Sequence, residues 1–301
     1  MKILITGSSG QLGKAIIAKN PKYPELLLPK KHELDLSNPI SCQKYVEDHK
    51  PDFIINCGAF TNVDLAENKE DLCFAINTNA PLEFAKVLKK YGGNLLQIST
   101  DYVFDGCKNF PYKVSDIKNP ISKYGFSKAR CEDHLEQILK PSKQCVILRT
   151  SWLMGPEGKN FLLTMLELHK NKKAFSVVSD QIGCMSSTKD LANICWEIIK
   201  KWKLVSNSQS WINHWTCKGS SSWYDIALEI GVLATNIGLL NNSAEIIPIK
   251  TESYPSIARR PLYSVLDCSM TEELIGIKRK DWHEELNEIL IDLVNQKEIT
   301  P

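Results

Sequence analysis

The sequence predicts an α/β protein: a doubly wound parallel sheet with a smaller region built from the C-terminal part. Three observations point there. Through the first 150 residues, short apolar runs alternate with helix-type segments. The runs are continuously apolar, the pattern of strands covered on both faces, without the in–out alternation of a half-exposed sheet. The first run also leads straight into Gly7-Ser8-Ser9-Gly10-Gln11-Leu12-Gly13, where glycine recurs at every third position.

The elements follow in order. Strands are expected at 2–6, 26–28, 53–57, 95–99 and 145–150, with helices near 12–19, 39–49, 69–91 and 121–139. Pro81 lies inside the third helical segment and has no N–H to give, so a kink or a fresh start is expected there. Past Thr150 the rhythm loosens into helix 160–170, strand 174–178, helix 188–201 and a strand-like run at 211–217. Ser221-Ser222-Trp223-Tyr224-Asp225 reads as a capping-box start for a helix to about residue 230. A short strand at 246–249 follows, and Asp281-Trp282-His283-Glu284 caps a last helix to about residue 295. Residues 1–150 are therefore read as a Rossmann-type dinucleotide-binding domain, with later segments returning to it. Residues 151–301 are read as mainly substrate-binding.

Glycines in the 7–13 turn let backbone N–H groups and a helix N-terminus approach a diphosphate. Gly7, Ser9, Gly10, Gln11 and Leu12 are the candidate contacts. Asp35-Leu36, beyond the second strand, is placed to meet the adenine end; the plainer reading of Asp35 is a helix N-terminal charge ahead of Asn38-Pro39. Gly58-Ala59-Phe60, beyond the third strand, offers small residues where a cofactor crosses the sheet edge. The second strand runs into Leu28-Pro29-Lys30-Lys31, with no acid for a ribose 2′-hydroxyl and two cations suited to a 2′-phosphate. NADPH is favoured, with NADH left open.

Thr100 ends the fourth strand, and 24 residues later comes Tyr124-Gly125-Phe126-Ser127-Lys128. Residues four apart share a helix face, so an ammonium can lie beside a phenol and lower its pKa from the usual ~10. Such a phenol is a usable proton donor. Roughly one Tyr-x-x-x-Lys is expected by chance in this composition, so the weight rests on its place after the strand-end Thr100.

Bulk properties exclude several classes. A net charge of +2 gives no electrostatic case for nucleic acid or membrane binding, and no apolar run nears the ~18 residues of a membrane span. Thirty-two lysines are scattered and read as solvated surface charge. Met1-Lys2 leads directly into a strand, so no signal peptide is expected. The ten cysteines form no Cys-x-x-Cys and no zinc spacing, which suits reduced thiols in the cytoplasm and no metal.

Together these segments resemble the dTDP-4-dehydrorhamnose reductases, extended short-chain dehydrogenases/reductases. The resemblance is carried by 2–13, 56–64, Ser99-Thr100-Asp101-Tyr102-Val103-Phe104-Asp105-Gly106, 124–128 and Arg149-Thr150-Ser151-Trp152. It continues through Asn160-Phe161, Asp180-Gln181-Ile182-Gly183 and Arg260-Pro261, over nearly the whole chain in order. The resemblance implies reduction of a dTDP-6-deoxy-hexulose at its 4-keto group, with a nucleotide-sugar substrate and a homodimer left open. It makes Thr100, Tyr124 and Lys128 catalytic: Tyr124 as proton donor, Lys128 at the phenol and nicotinamide ribose, Thr100 at the carbonyl. Ser99, Tyr124 and Lys128 join the cofactor set. Thr61, Val63, Thr100, Tyr102, Tyr124, Trp152, Asn160 and Arg260 fall to the substrate; Trp152 also reads as a core aromatic and Arg260 as a surface ion pair.

Asp101-Tyr102 stands where related dehydratases carry Asp-Glu, which disfavours elimination chemistry. Two positions depart from the family pattern. Cys184-Met185-Ser186 replaces Ala/Arg-Pro-Thr, and Ala15 stands where some members have a glutamate associated with a magnesium-dependent dimer contact. Two alternatives stand beside this reading: a reductase of another nucleotide-linked 4-keto-6-deoxy sugar, and a non-catalytic subunit like the regulatory subunit of methionine adenosyltransferase.

Overall fold

The structure is a computed structural model that describes residues 1–22, 24–207 and 211–299. The first half runs β1 (Lys2–Thr6), α1 (Gln11–Ala18), β2 (Glu25–Leu27), α2 (Pro39–His49), β3 (Phe53–Asn56), α3 (Val63–Asn68), α4 (Glu70–Phe74), a π-helical turn (Ala75–Asn79), α5 (Ala80–Tyr91), β4 (Asn94–Thr100), α6 (Lys123–Leu139) and β5 (Cys145–Thr150). It continues through β6 (Leu153–Met154), α7 (Phe161–Asn171), β7 (Ala174–Val178), β8 (Ile182–Gly183), β9 (Ser186–Ser187), α8 (Thr188–Lys200), α9 (Trp202–Asn207), β10 (Ile212–His214), β11 (Ser221–Ser222), α10 (Trp223–Asn236), β12 (Glu245–Ile249), α11 (Ser269–Ile275) and α12 (Trp282–Ile299).

Among the described residues the main sheet has six strands in the order β2-β1-β3-β4-β5-β10, every neighbouring pair parallel. The expected doubly wound sheet is therefore present. Period-two alternation sends Ile3 and Ile5 to one core with α1 and α8, and Leu4 to the other with α2, α5 and α6. Complete burial of one such side chain contributes roughly 1.5–3 kcal/mol. A third core gathers α7, α10 and α12. In this region β7 pairs with β12, β8 with β11 and β6 with β9.

Differences from the expected elements have local causes. The expected 69–91 helix is three segments, with Pro81 in the first turn of α5 behind the π turn. A proline that cannot donate to the carbonyl four residues back makes the register change there understandable. The strand-like run at 211–217 pairs only over β10, because its partner β5 ends at Thr150. The two-residue strands and the seven-residue α11 are too short to show a period.

Strand order reverses direction between β1 and β3, and ligands of such sheets bind in the crevice beyond those strand ends. There the two backbones nearly touch. A Cβ on Gly7, whose φ is +62°, would lie 2.8 Å from the Gly58 backbone. Thr6 Oγ1 accepts from Gly58 N at 3.0 Å, and Asn56 Nδ2 donates to Gln97 Oε1 at 2.7 Å, tying the ends of β1, β3 and β4. Gly7→Ala would combine this clash with a left-handed backbone that alone costs roughly 1–2 kcal/mol. Urea denaturation should show at least that loss, together with weakened dinucleotide binding.

Candidate active site

The crevice mouth begins at Gly10, the N-cap of α1, which has no side chain to cap the helix. The first N–H groups of α1, at Gln11 and Leu12, are thus left for another acceptor. A Cβ on Gly13 would sit 2.3 Å from Gly7 O, so the helix packs directly on the turn. Leu36 reaches the opposite wall, its Cδ1 where a Gly58 side chain would be. Asp35 gives one carboxylate oxygen to Ser37 N and Oγ at 2.9 and 2.7 Å, and these bonds lower its pKa. Phe60 is held by Asn77, which accepts from its N–H at 2.8 Å and donates to its carbonyl at 3.0 Å. Asn77, in the π turn, also donates to Ser127 Oγ at 3.0 Å and so joins the crevice wall to α6. In the sequence it looked like helix interior.

Helix α6 carries the Tyr-x-x-x-Lys pair and is seated by its other residues. Ser122 caps it by accepting from Gly125 N at 3.2 Å. A Cβ on Gly125 would lie 2.2 Å from Tyr102 O, so a glycine is required beside Tyr124 for the helix to approach the strand end. The Tyr102 and Tyr124 rings meet edge to face, centroids 5.6 Å apart. Thr100 Oγ1 donates to Asp101 Oδ1 at 3.0 Å, accepts from Tyr102 N at 3.2 Å, and lies close enough to Tyr124 to act on its phenol. Asp101 is buried, which raises its pKa to about 6 against the pull of Ser264 and Thr100.

The electrostatics correct one expectation. Burial raises the Tyr124 pKa above its ordinary value; Thr100 pulls it down, and Asp101, Tyr102 and Cys73 add to the rise. Lys128 is not among the strongest influences; its Nζ donates to Ile98 O at 2.6 Å. Ser99, expected at the cofactor, gives its hydroxyl to Glu132 Oε1 at 2.6 Å. Strand alternation turns Ser99 towards α6 and leaves Thr100 for the crevice.

Arg260 comes from the far end of the chain. Its Nη2 meets Asp64 Oδ2 at 2.8 Å and its Nη1 donates to Tyr102 OH at 3.3 Å. The ion-pair reading of Arg260 is thus fulfilled, but beside Tyr102 at the strand end. Asp64 Oδ1 also accepts from Ser256 Oγ and from the N–H groups of Ile257 and Ala258, closing the 256–260 loop onto α3. Gly106, with φ +78°, packs on Pro261 so closely that a Cβ would lie 2.6 Å away. Val63 is half-buried in the first turn of α3, and Thr61 is exposed just before it.

Trp152 has φ +45°, rare for a bulky side chain and a pointer to a constrained site. It stacks on Trp223 with centroids 3.7 Å apart and covers Gly183, beside Ser264. Asn160 makes no free donor here. It caps α7, and its Nδ2 donates to Gln11 Oε1 at 2.7 Å and Gly155 O at 2.9 Å, fastening the 155–160 loop over the glycine turn. Among the described residues no group of three His, Cys, Asp or Glu side chains is set to hold a metal ion. No helix among them is long and apolar enough to cross a membrane.

A dinucleotide crevice whose open end holds a hydroxyl, a phenol and a nearby lysine defines a nicotinamide-type oxidoreductase acting on a carbonyl or alcohol. The family described as RmlD substrate binding domain matches residues 1–295, and the chain belongs to that family, the dTDP-4-dehydrorhamnose reductases. A dTDP-4-dehydrorhamnose reductase of Aggregatibacter actinomycetemcomitans is 36% identical over 291 residues, covering 96% of this chain and 98% of that protein. The solved dTDP-4-dehydrorhamnose reductase of Clostridium acetobutylicum has a TM-score of 0.89 at 38% identity, covering 98% of this chain and 100% of that one. The Bacillus anthracis reductase, solved in complex with NADP, has a TM-score of 0.85 at 33% identity, with 97% and 99% covered.

The raised Tyr124 pKa is open to direct measurement. An ultraviolet difference titration of the ligand-free protein against Tyr124→Phe should show no phenolate from this residue up to pH ~10, the ordinary tyrosine value. A phenolate appearing nearer neutrality would restore the cation-activated phenol.

Proposed function

We propose that the chain reduces the 4-keto group of dTDP-4-dehydro-L-rhamnose to the alcohol of dTDP-L-rhamnose, using NADPH. The observation that carries this is Tyr124 set beside Thr100 at the crevice mouth, with Lys128 one helical turn on, in a chain of this family. Bound NADPH would supply a hydride to carbon 4. Gly7, Ser9, Gly10, Gln11 and Leu12 would hold its diphosphate, Gly58-Ala59-Phe60 would line its path, and Lys30 and Lys31 would suit its 2′-phosphate.

Thr100 has one proton to donate, at present towards Asp101; turned to the substrate, it polarises the carbonyl. Tyr124 gives its proton to the oxygen as negative charge develops there. A phenol held above its ordinary pKa keeps that proton until the alkoxide draws it off. Lys128 then faces the phenolate and the nicotinamide ribose. Tyr102, Arg260, Trp152, Thr61, Val63 and Asn160 surround the nucleotide sugar, Asn160 through its hold on the 155–160 loop. The first 150 residues, with β10 and α8 returning to their sheet, mainly serve the cofactor, and the later ones mainly the sugar. The reading also places the enzyme in the cytoplasm, where its ten free cysteines are at home, as a homodimer.

The test follows NADPH oxidation with dTDP-4-dehydro-L-rhamnose, and then with the same sugar on other nucleotides. Turnover only with another nucleotide would redirect the substrate; tight NADPH binding without turnover on any keto-sugar would sink the reading. Tyr124→Phe should lose roughly 10²–10⁴-fold in kcat, the usual worth of a general acid, with little change in NADPH affinity. Lys128→Ala should damage both. A folded Tyr124→Phe protein with near-normal turnover would remove the assigned acid.

A further inference from the structure

Behind the strand end lies a charged cluster that the proton transfer does not use. Glu132 stands on α6 one turn past Lys128 and is 1% exposed, as is Arg149 on β5. Arg149 grips it with two bonds, Nε to Oε1 at 2.9 Å and Nη2 to Oε2 at 2.6 Å. Ser99 and Arg149 are register partners on β4 and β5, and both reach the same carboxylate. Lys118 approaches Oε2 at 3.5 Å while bonding Asp133 at 2.6 Å. The remaining Arg149 Nη1 meets His214 Nε2 at 3.2 Å, and His214 Nδ1 meets Asp267 O at 3.2 Å. Burial and Arg149 push the His214 pKa down to about 3, so the ring is neutral: Nε2 accepts and Nδ1 donates. Burial opposes ionisation of Glu132, but Arg149 outweighs it and the net direction is down.

A buried ion pair is a poor way to hold a helix on a sheet, since apolar residues of similar volume often do as well or better. What apolar residues cannot supply is a field at Lys128. That ammonium, 4% exposed, has no carboxylate within ion-pair distance among the described residues. Glu132 holds Ser99, next to the Ile98 whose carbonyl Lys128 holds; burial lowers the Lys128 pKa, and Cys131 and Glu132 on α6, Cys57 just past β3 and Cys73 on α4 oppose that. Burial lifts Cys57 and Cys131 to about 12 and raises Cys73, so these thiols are neutral at working pH. Tyr124 is neutral by the same cause. Glu132 is therefore the one charged member of that set.

We propose that Glu132, clamped by Arg149 and Ser99, is a positioning residue that keeps Lys128 an ammonium and thereby sets the alkaline limit of turnover. It acts through Lys128 and touches neither cofactor nor sugar. The inference rests on the proposed roles of Tyr124 and Lys128.

The experiment measures kcat against pH, and the NADPH dissociation constant against pH, for the full-length enzyme and two variants. Glu132→Gln keeps the shape and removes the charge. Since this strands the buried Arg149 cation, the pair Glu132→Gln/Arg149→Met is made as well, restoring the charge balance of the core. The alkaline midpoint of kcat is expected to fall by about one pH unit or more in Glu132→Gln and to stay below the wild-type value in the double variant, with the NADPH profile moving in parallel. Tm should drop in Glu132→Gln and recover in the double variant while the midpoint stays displaced. If Glu132→Gln does not fold, the double variant decides alone. A folded variant lacking the carboxylate but keeping the wild-type midpoint would overturn the proposal, and recovery of the midpoint together with Tm would reduce Glu132 to a structural role. Absence of reductase activity in the wild type would count against the proposed function, and the NADPH profile would still judge Glu132.

Discussion

The seating of α6 on the end of β4 is the contact on which the site depends. Three successive turns of the helix make it: Gly125 against Tyr102 O, Lys128 Nζ on Ile98 O, and Glu132 on Ser99 Oγ. Residues 124, 128 and 132 recur every four positions, so one helix face delivers the phenol, the ammonium and the buried carboxylate to one strand. None of the three contacts is interchangeable. The first needs a missing side chain, the second a long cation satisfied by a carbonyl, and the third a carboxylate that Arg149 makes tolerable in the core.

A second constraint is that the chain folds back over its own beginning. The crevice between β1 and β3 is narrow because glycines face each other across it, and the C-terminal segments close onto its rim. Asn160 reaches Gln11 beside the glycine turn, and Arg260 reaches Asp64 and Tyr102 beside Thr100. The walls of the site thus come from both ends of the sequence, and β10 returns at residue 212 to complete the main sheet beside β5. Such an arrangement suits a large substrate, whose remote parts can be gripped by one region while the other holds the reacting carbonyl.

What could be read from the sequence was whatever a local pattern records. The run Lys2–Thr6 emptying into Gly7 announces a buried strand and a tight turn, and Tyr124 with Lys128 announces a shared helix face. The capping box at Ser222 and Asp225 is present, though its helix extends to Asn236, past the expected end. What depends on register or burial was hidden. Glu132 and Arg149 are 17 positions apart and become partners only when β5 pairs with β4 and α6 crosses both. The resemblance put Ser99 at the cofactor, and strand alternation turns its hydroxyl to Glu132. The sign of the Tyr124 shift was misread for a related reason: spacing says a lysine is near, but not that burial governs the phenol. Asn77 lay inside the expected 69–91 helix, and Asp64 inside a segment quoted only for the resemblance, until the loops they fasten came into place.

The chemistry at the centre of this account is transfer of hydride to carbon 4 of a nucleotide sugar, with the proton delivered by the protein. It is tested most directly by turning over dTDP-4-dehydro-L-rhamnose with NADPH deuterated at the transferable position and locating the label in the isolated product by NMR. Deuterium on carbon 4 of dTDP-L-rhamnose is the predicted result. A reduced product without label at that carbon, or labelled elsewhere on the ring, would contradict it.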